Sequence, residues 1–336
     1  MAAAYACLQD WDIFLLFSYD LDDQLLSMFR SQSDPARWGE FPAAALMFHR
    51  HDVAPARNEV HIVHTPQDTF MPRPHTRYAE YTNYRFLTFT SKVRNVFIED
   101  AYRGQADVIL ACGLSADAKV ESEGKVIRLA GRPWEDWLYP EFVKAAREQR
   151  LSGYDRMNAD TKRLESDTGE LSLNYGAGLL KINTPRTKSA IGYLGKAETI
   201  DLDGLRIDCQ TEFAAVTATS LDGEPIGRSR HVLLTSVARA ENTAQGFWPP
   251  TPKQRSWSVM SWMLPAEGRL PVIAEPVRAK VRLKVPGPAV VYALDPTGKR
   301  RGHLEAPAKV PPTVAVISAV IDPDDPGPSE MPLTGG

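Results

Sequence analysis

The chain has 336 residues, 43% hydrophobic and 24% charged, with a formal net charge of −3. Such a composition folds rather than stays disordered, gives room for two or three ordinary cores, and supplies no global electrostatic footprint for nucleic acid or an anionic membrane. No apolar run approaches the ~20 residues needed to span a bilayer, and Cys7, Cys112 and Cys209 are too scattered for a disulfide framework or metal spacing.

The chain opens on helix formers, Met1 to Asp10, with no capping residue ahead of them. Asp10 and Asp12 break any leader-like core, so no signal peptide is expected here. Ile13-Phe-Leu-Leu-Phe17 reads as a strand apolar on both faces, the kind found inside parallel sheets. Asp22 to Arg30 reads as a short amphipathic helix. Asp34-Pro-Ala-Arg-Trp38 reads as a turn, and Phe41 to Phe48 as a packing helix with Pro42 in its first turn.

Residues 58–159 are mixed α/β. Glu59 to His64 alternates like a strand, and Tyr78 to Val93 reads as a helix carrying five aromatics. Ala106 to Cys112 and Lys125 to Ala130 read as buried strands, and Trp134 to Gln149 as a helix with one apolar face. From 160 the texture becomes β. Glu170 to Tyr175 and Leu179 to Asn183 flank Gly176-Ala-Gly178 as a hairpin, and Asp203-Gly204 and Asp222-Gly223 mark further turns. Short strands with turn residues every eight to twelve positions indicate a sandwich or barrel. Phe247-Trp-Pro-Pro-Thr-Pro252 is a break, after which 249–321 reads as a small β domain closed by Val314 to Ile321. The Pro- and Asp-rich tail 322–336 reads as disordered.

In this order the residues carry a likeness. Ala3-Ala-Tyr-Ala-Cys-Leu-Gln-Asp-Trp-Asp-Ile-Phe-Leu-Leu-Phe-Ser-Tyr19 resembles the last helix–strand step of bacterial clan-A-type (β/α)₈-barrel glycoside hydrolases, the clan of cellulases, agarases and β-galactosidases. Phe41 to Val53 looks like the helix closing such a barrel. Glu165 to Leu171, Ile182 to Leu194, Phe213 to Asn242 and Val290 to Gly298 are similar to the β-sandwich that follows it. The resemblance implies an α+β, mainly β fold: a barrel remnant at 1–57, the mixed region at 58–159, a β-sandwich at 160–248 and the small β domain beyond. It implies a carbohydrate partner, polysaccharide or oligosaccharide, and a parent that is secreted or periplasmic. Retaining hydrolysis in that clan uses two glutamates, after the fourth and seventh barrel strands. With Ile13 to Phe17 as the eighth strand, both precede Met1, and this chain alone is expected to be inactive.

Tyr19 and Asp20, at the carboxyl end of that strand, and Trp38 are then the substrate-binding candidates of the remnant. Asp20 has a plainer reading as a helix cap. Arg239, Glu241, Asn242 and Trp248 are the candidates of the β region, because an aromatic beside amide and charged groups makes a sugar platform. The plainer reading of Trp248 is packing between β domains. The acidic residues Asp10 to Asp23 and the pairs His49/His51 and His61/His64 lack the closed ligand set that zinc requires. Ser166-Asp-Thr-Gly169 has no second triplet to make an aspartic-protease pair, so Asp167 reads as a turn former. With no phosphate loop, dinucleotide fingerprint or nucleophile elbow, no cofactor is expected.

The alternative to an enzyme fragment is a non-catalytic carbohydrate-binding or structural β module.

Overall fold

The structure, a computed structural model, describes residues 1–15, 25–26, 32–70, 87–129, 144–145, 147–148, 158, 160–246, 268–286, 289–295, 298–304, 308–310, 315–321 and 330–335, with side chains described as far as Arg300. The fold is α+β and mainly β. Two units are resolved: Met1–Asp12 with Phe48–Thr184, and Ile13–Met47 with Pro185–Gly336. The helices are α1 (Ala2–Leu8), α2 (Pro35–His49) and α3 (Pro66–Phe70).

In the first unit, β1 (Glu59–His64), β2 (Lys92–Phe97), β4 (Val108–Cys112) and β6 (Lys125–Leu129) form an all-parallel sheet in the order β2-β1-β4-β6. β3 (Ala101–Tyr102) and β5 (Lys119–Val120) pair separately. All five residues of β4 are buried, as its unbroken apolar run requires of a strand covered on both faces. Val60, Ile62, Leu110 and Ile127 pack on one face with Leu87, while Val63 and Ile109 pack on the other with Tyr102. α1 belongs to this core. Its Gln9 cap residue donates to the Thr88 and Ser91 carbonyls at 2.9 and 2.6 Å and accepts from the Val93 N–H at 2.9 Å, and Tyr5 meets Phe89 edge-on at 4.5 Å.

The antiparallel strands β7 (Arg163–Glu165), β8 (Leu171–Asn174) and β9 (Leu179–Asn183) complete the unit. The β8–β9 hairpin forms where Gly176-Ala-Gly178 marks it, with Asn174 Oδ1 accepting the Gly176 and Ala177 N–H groups. The Ser166-Asp-Thr-Gly turn is held by Ser166, whose Oγ accepts the Leu171 N–H, and by Gly169 at φ 78°. Asp167 does different work from the turn-forming role its sequence predicts: its Oδ2 accepts the Asn58 N–H at 2.7 Å, and Glu170 Oε2 accepts the Ala54 N–H at 2.7 Å. The two carboxylates clip the segment leading into β1. Burial pushes both above the usual carboxylate range, against the pull of those N–H groups.

Several elements differ from expectation. Ile13 to Leu15 are not in a strand, and Ile13 and Leu15 are 70% and 83% exposed; an apolar parallel strand without parallel neighbours has no ladder to enter. Leu16 and Phe17 lie outside the described residues, as do most of the helices expected at 22–30, 78–93 and 134–149. Val93 stands in β2, not in a helix. The expected turn at Asp34 to Trp38 is instead the start of one long helix, with Pro42 inside it. Asp34 Oδ1 caps it by accepting the Ala36 and Arg37 N–H groups at 3.0 and 3.1 Å, and Pro35 takes the first helical position, where its missing N–H costs nothing.

The second unit is antiparallel. β10 (Thr187–Gly192), β13 (Ala214–Ser220), β14 (His231–Val237), β18 (Ala289–Leu294), β19 (Arg300–Leu304) and β21 (Ala315–Ile321) run in the order β19-β18-β21-β14-β13-β10. A second sheet has the order β11-β12-β17-β22-β20, from β11 (Ile200–Asp201), β12 (Leu205–Cys209), β17 (Ala279–Lys284), β20 (Ala308–Val310) and β22 (Glu330–Gly335). β15 (Ala240–Thr243) and β16 (Arg269–Ala274) form a separate ribbon. Leu205, Ile207, Val281 and Leu283 fill one face of the second sheet, all 5% exposed or less. α2 meets the first sheet through Glu40, whose Oε1 accepts the Thr235 hydroxyl at 2.9 Å; burial raises its pKa.

Both sheets cross the division expected at 248/249: β21 lies between β14 and β18, and β17 lies beside β12. The tail expected to be disordered contains β22, which pairs with β17 along Lys280 to Lys284. β17 is internal to its sheet, and its second row of N–H and C=O groups takes partners from that late segment.

Candidate functional site

The site is built where the first turn after β10 meets the loop between β12 and β13. β10 ends at Gly192, and a 3₁₀ turn, Leu194–Lys196, follows. The Gly195 N–H donates to the Glu212 carbonyl at 3.2 Å. A Cβ at Gly195 would stand 2.7 Å from the Thr211 carbonyl oxygen and 2.9 Å from the Glu212 Cα, so only glycine lets the two backbones approach this closely. Thr211 fixes the far side: its hydroxyl donates to the Pro276 carbonyl at 3.1 Å and accepts the Arg278 N–H at 2.7 Å.

This approach brings together side chains far apart in sequence. Tyr193 and Phe213 stand edge to face with centroids 5.3 Å apart, and are 42% and 41% exposed. Lys196 lies 4.9 Å over the Tyr193 ring and its Nζ is 2.6 Å from Glu212 Oε1. That hydrogen bond holds Glu212 below and Lys196 above their usual ranges.

Arg239 stands beside the same group. Its Nε donates to Glu275 Oε2 at 2.8 Å, which raises its pKa, with smaller contributions from the charges of Glu241 and Glu212. Arg239 is thus paired with Glu275 and only within electrostatic reach of Glu241 and Glu212. Asn242 points elsewhere, as the next residue along a strand must. It is 1% exposed, its Oδ1 accepts the Leu26 N–H at 2.8 Å, and its Nδ2 donates to the Leu26 carbonyl at 3.0 Å. Asn242 is a structural clamp, not a surface group. Trp38 sits on α2 with its ring 5.0 Å from Phe41. Tyr19, Asp20 and Trp248 lie outside the described residues.

At the paired ends of β12 and β17 lies a cleft of about 370 Å³, lined among others by Thr199, Asp208, Gln210, Arg278 and Lys280. Asp208 accepts the Thr199 hydroxyl, and burial pushes the Cys209 thiol up. Lys196 leads directly into Ala197, and Gln210 into Thr211 and Glu212, so the cleft adjoins the patch along both chains. Exposed ring faces and edges beside amide, hydroxyl and charged groups can take up the C–H faces of a polyol while hydrogen-bonding its hydroxyls. Among the described residues no group of three or more His, Cys, Asp or Glu side chains could hold a metal ion. No helix among them is long and apolar enough to cross a membrane.

Tyr193, Lys196, Glu212 and Phe213 escaped sequence reasoning. The available signal was an aromatic at a strand end followed by Leu-Gly-Lys.

No family model matches the chain, and no curated protein is significantly similar to it. Among solved structures, a crystal structure of Aa-Ago with externally bound siRNA is 11% identical over 54% of this chain and 27% of that one, with a TM-score of 0.12. A likeness at that level carries no argument about fold or ligand.

Proposed function

We propose that this chain is the carboxyl-terminal, non-catalytic portion of a polysaccharide-acting glycoside hydrolase, and that its antiparallel unit binds carbohydrate. The observation that carries the binding role is the exposed Tyr193–Phe213 pair beside the Lys196–Glu212 ion pair. An edge-to-face pair with both rings about two-fifths exposed leaves ring surface open for stacking on a sugar.

The lineage rests on the sequence resemblance. In the intact parent, Ile13 to Phe17 would be the last barrel strand, followed by the appended α/β region and a β-sandwich. Asp167 Oδ2, Glu170 Oε2 and Glu40 Oε1 each accept an N–H or hydroxyl group of their own unit, which fits a scaffold better than a hydrolytic pair.

Affinity electrophoresis of the full chain through gels containing β-linked polysaccharides tests the binding role. Tyr193→Ala and Phe213→Ala are each expected to weaken retention about tenfold, the loss of one stacking contact of ~1–1.5 kcal/mol, with unchanged melting temperatures. Retention equal to that of the parent chain in both variants would sink the binding role.

The lineage has its own tests. DNA upstream of Met1 should encode further strand–helix units with two strand-end glutamates, and the purified chain should release no reducing ends from any of these polysaccharides. An in-frame stop just before Met1 would favour the self-contained module instead.

A further inference from the structure

Strand β17 carries a cationic ladder. Arg278, immediately before it, and Lys280, Arg282 and Lys284 within it occupy alternate positions and share one sheet face, while Val281 and Leu283 between them are buried on the other. At about 3.3 Å per residue the four cations span roughly 20 Å. Arg278 and Lys284 are exposed, Lys280 and Arg282 are half-buried, and none of the four forms an ion pair among the described residues.

The neighbouring strands neutralise this row only in part. In register, Arg282 stands directly opposite Arg206 of β12, and like charges directly opposite one another are destabilising. Arg206 has its own partner, Asp201, at 3.0 Å. Asp208, which accepts the Thr199 hydroxyl, stands opposite Lys280, and Glu330 of β22 holds the position opposite Lys284, so Arg278 and Arg282 are the ladder cations with no carboxylate at the paired position. Formally this face carries five cations, with Arg206 counted, against three acidic positions. A sequence that places like charges opposite one another in the middle of a sheet breaks a local rule for stability, and such breaks concentrate where function demands them. β17 is not an edge strand, so guarding a free edge does not account for the lysines.

The row begins in the cleft, which Arg278 and Lys280 line, and the cleft adjoins the Tyr193–Phe213 platform. We propose that this face binds an acidic polysaccharide, a glycan bearing sulfate or carboxylate groups, laid along β17 from the aromatic pair towards Lys284. The proposal deepens the carbohydrate reading above and rests on it for the choice of polymer. Spaced cations meet the anionic groups, while Thr199 and Gln210 offer hydroxyl and amide groups to sugar hydroxyls. Single-stranded nucleic acid fits less well: its platforms interleave aromatics with the cations, and among the described residues this row has none.

Binding of the full chain to dextran sulfate, polygalacturonate, neutral dextran and single-stranded DNA, at low and at high salt, tests the proposal. The expected result is binding to at least one acidic glycan, none to neutral dextran, and a marked loss of affinity at high salt. The double variant Arg282→Ser with Lys284→Ser is expected to lose about tenfold in affinity as two phosphate-like contacts disappear, without a lower melting temperature, since it relieves the Arg206–Arg282 opposition. Should that variant melt lower, Arg278→Ser, outside the strand, is the second variant and should lose affinity alone.

Unchanged affinity in the folded variants, equal binding to neutral dextran, or no binding to either acidic glycan would overturn the ladder. DNA binding as tight as that of the best glycan would overturn the choice of polymer. These outcomes are separable from the Tyr193 and Phe213 tests, which change the aromatic pair and leave the ladder intact.

Discussion

Asn242→Ala should lower the stability of the antiparallel unit by about 3 kcal/mol, because it leaves a buried N–H and a buried C=O of Leu26 without partners at ~1–3 kcal/mol each. For a unit of this size that corresponds to a fall in melting temperature of roughly 6–12 °C, readable by circular dichroism or calorimetry. Asn242→Asp should be nearly as damaging: it keeps an acceptor for the Leu26 N–H, loses the donor to the carbonyl, and buries a charge. Carbohydrate binding by the fraction that remains folded should be unchanged. A variant that melts like the parent chain but no longer binds would return Asn242 to the surface role its sequence context first indicates.

The second large effect is expected at Asp222, which organises the turn between β13 and β14. Its Oδ1 accepts the Ser220 and Ser229 hydroxyls at 2.9 and 2.8 Å and the Glu224 N–H at 3.2 Å, and its Oδ2 accepts the Arg230 N–H at 2.7 Å. Burial alone would push its pKa up, but the Arg230 N–H and the two serine hydroxyls outweigh it and hold the carboxyl well below the usual range. Solvent reaches this carboxylate, so the cost of Asp222→Ala, the loss of the four hydrogen bonds that order the turn, is discounted to about 2 kcal/mol.

The pH dependence follows from the sign of that shift. A carboxyl whose folded pKa is depressed contributes its full stability above the unfolded value of ~3.9 and loses it as the pH falls through the folded value. The gap between the parent chain and Asp222→Ala should therefore be constant near neutrality and shrink below about pH 4. A gap that widens on acidification would contradict the assignment. Asp167 and Glu170 act in the opposite sense: their raised pKa values favour the folded first unit as the pH falls towards the carboxylate range.

Much of the β structure was legible where turn chemistry is local. Asp203 and Gly204 both have positive φ between β11 and β12, as an Asp-Gly pair in a tight hairpin should, while at the β8–β9 turn Asn174 acts through its side-chain oxygen and Gly178 through its positive φ. The unbroken apolar run of β4 declared a strand buried on both faces. Pairings between distant segments were not legible. Nothing in Ala315 to Ile321 distinguishes a strand closing a small domain from one inserted between β14 and β18, because register depends on partners and not on composition. The start of α2 is not legible from sequence because Asp-Pro serves turns and helix caps alike.

At the candidate site, Arg239 and Glu241 stood out through their charge next to aromatic sequence. Asn242 stood out for the same reason, yet its amide serves the Leu26 backbone. Tyr193 and Phe213 are separated by two strands and meet only because Gly195 lets the 3₁₀ turn settle on Thr211 and Glu212.

The position of β21 bears on how the molecule is made. The strand between β14 and β18 is drawn from residues 315–321, whereas β13 and β14 are complete by residue 237. During synthesis the β10–β13–β14 portion can assemble as the chain emerges, but β18 and β19 have no route into that sheet until some eighty further residues have followed β14 out of the ribosome. Until then β14 offers a bare row of hydrogen-bonding groups to any strand nearby, its own or another molecule's. The last strand to enter the sheet is therefore the one that shields the nascent chain from its neighbours.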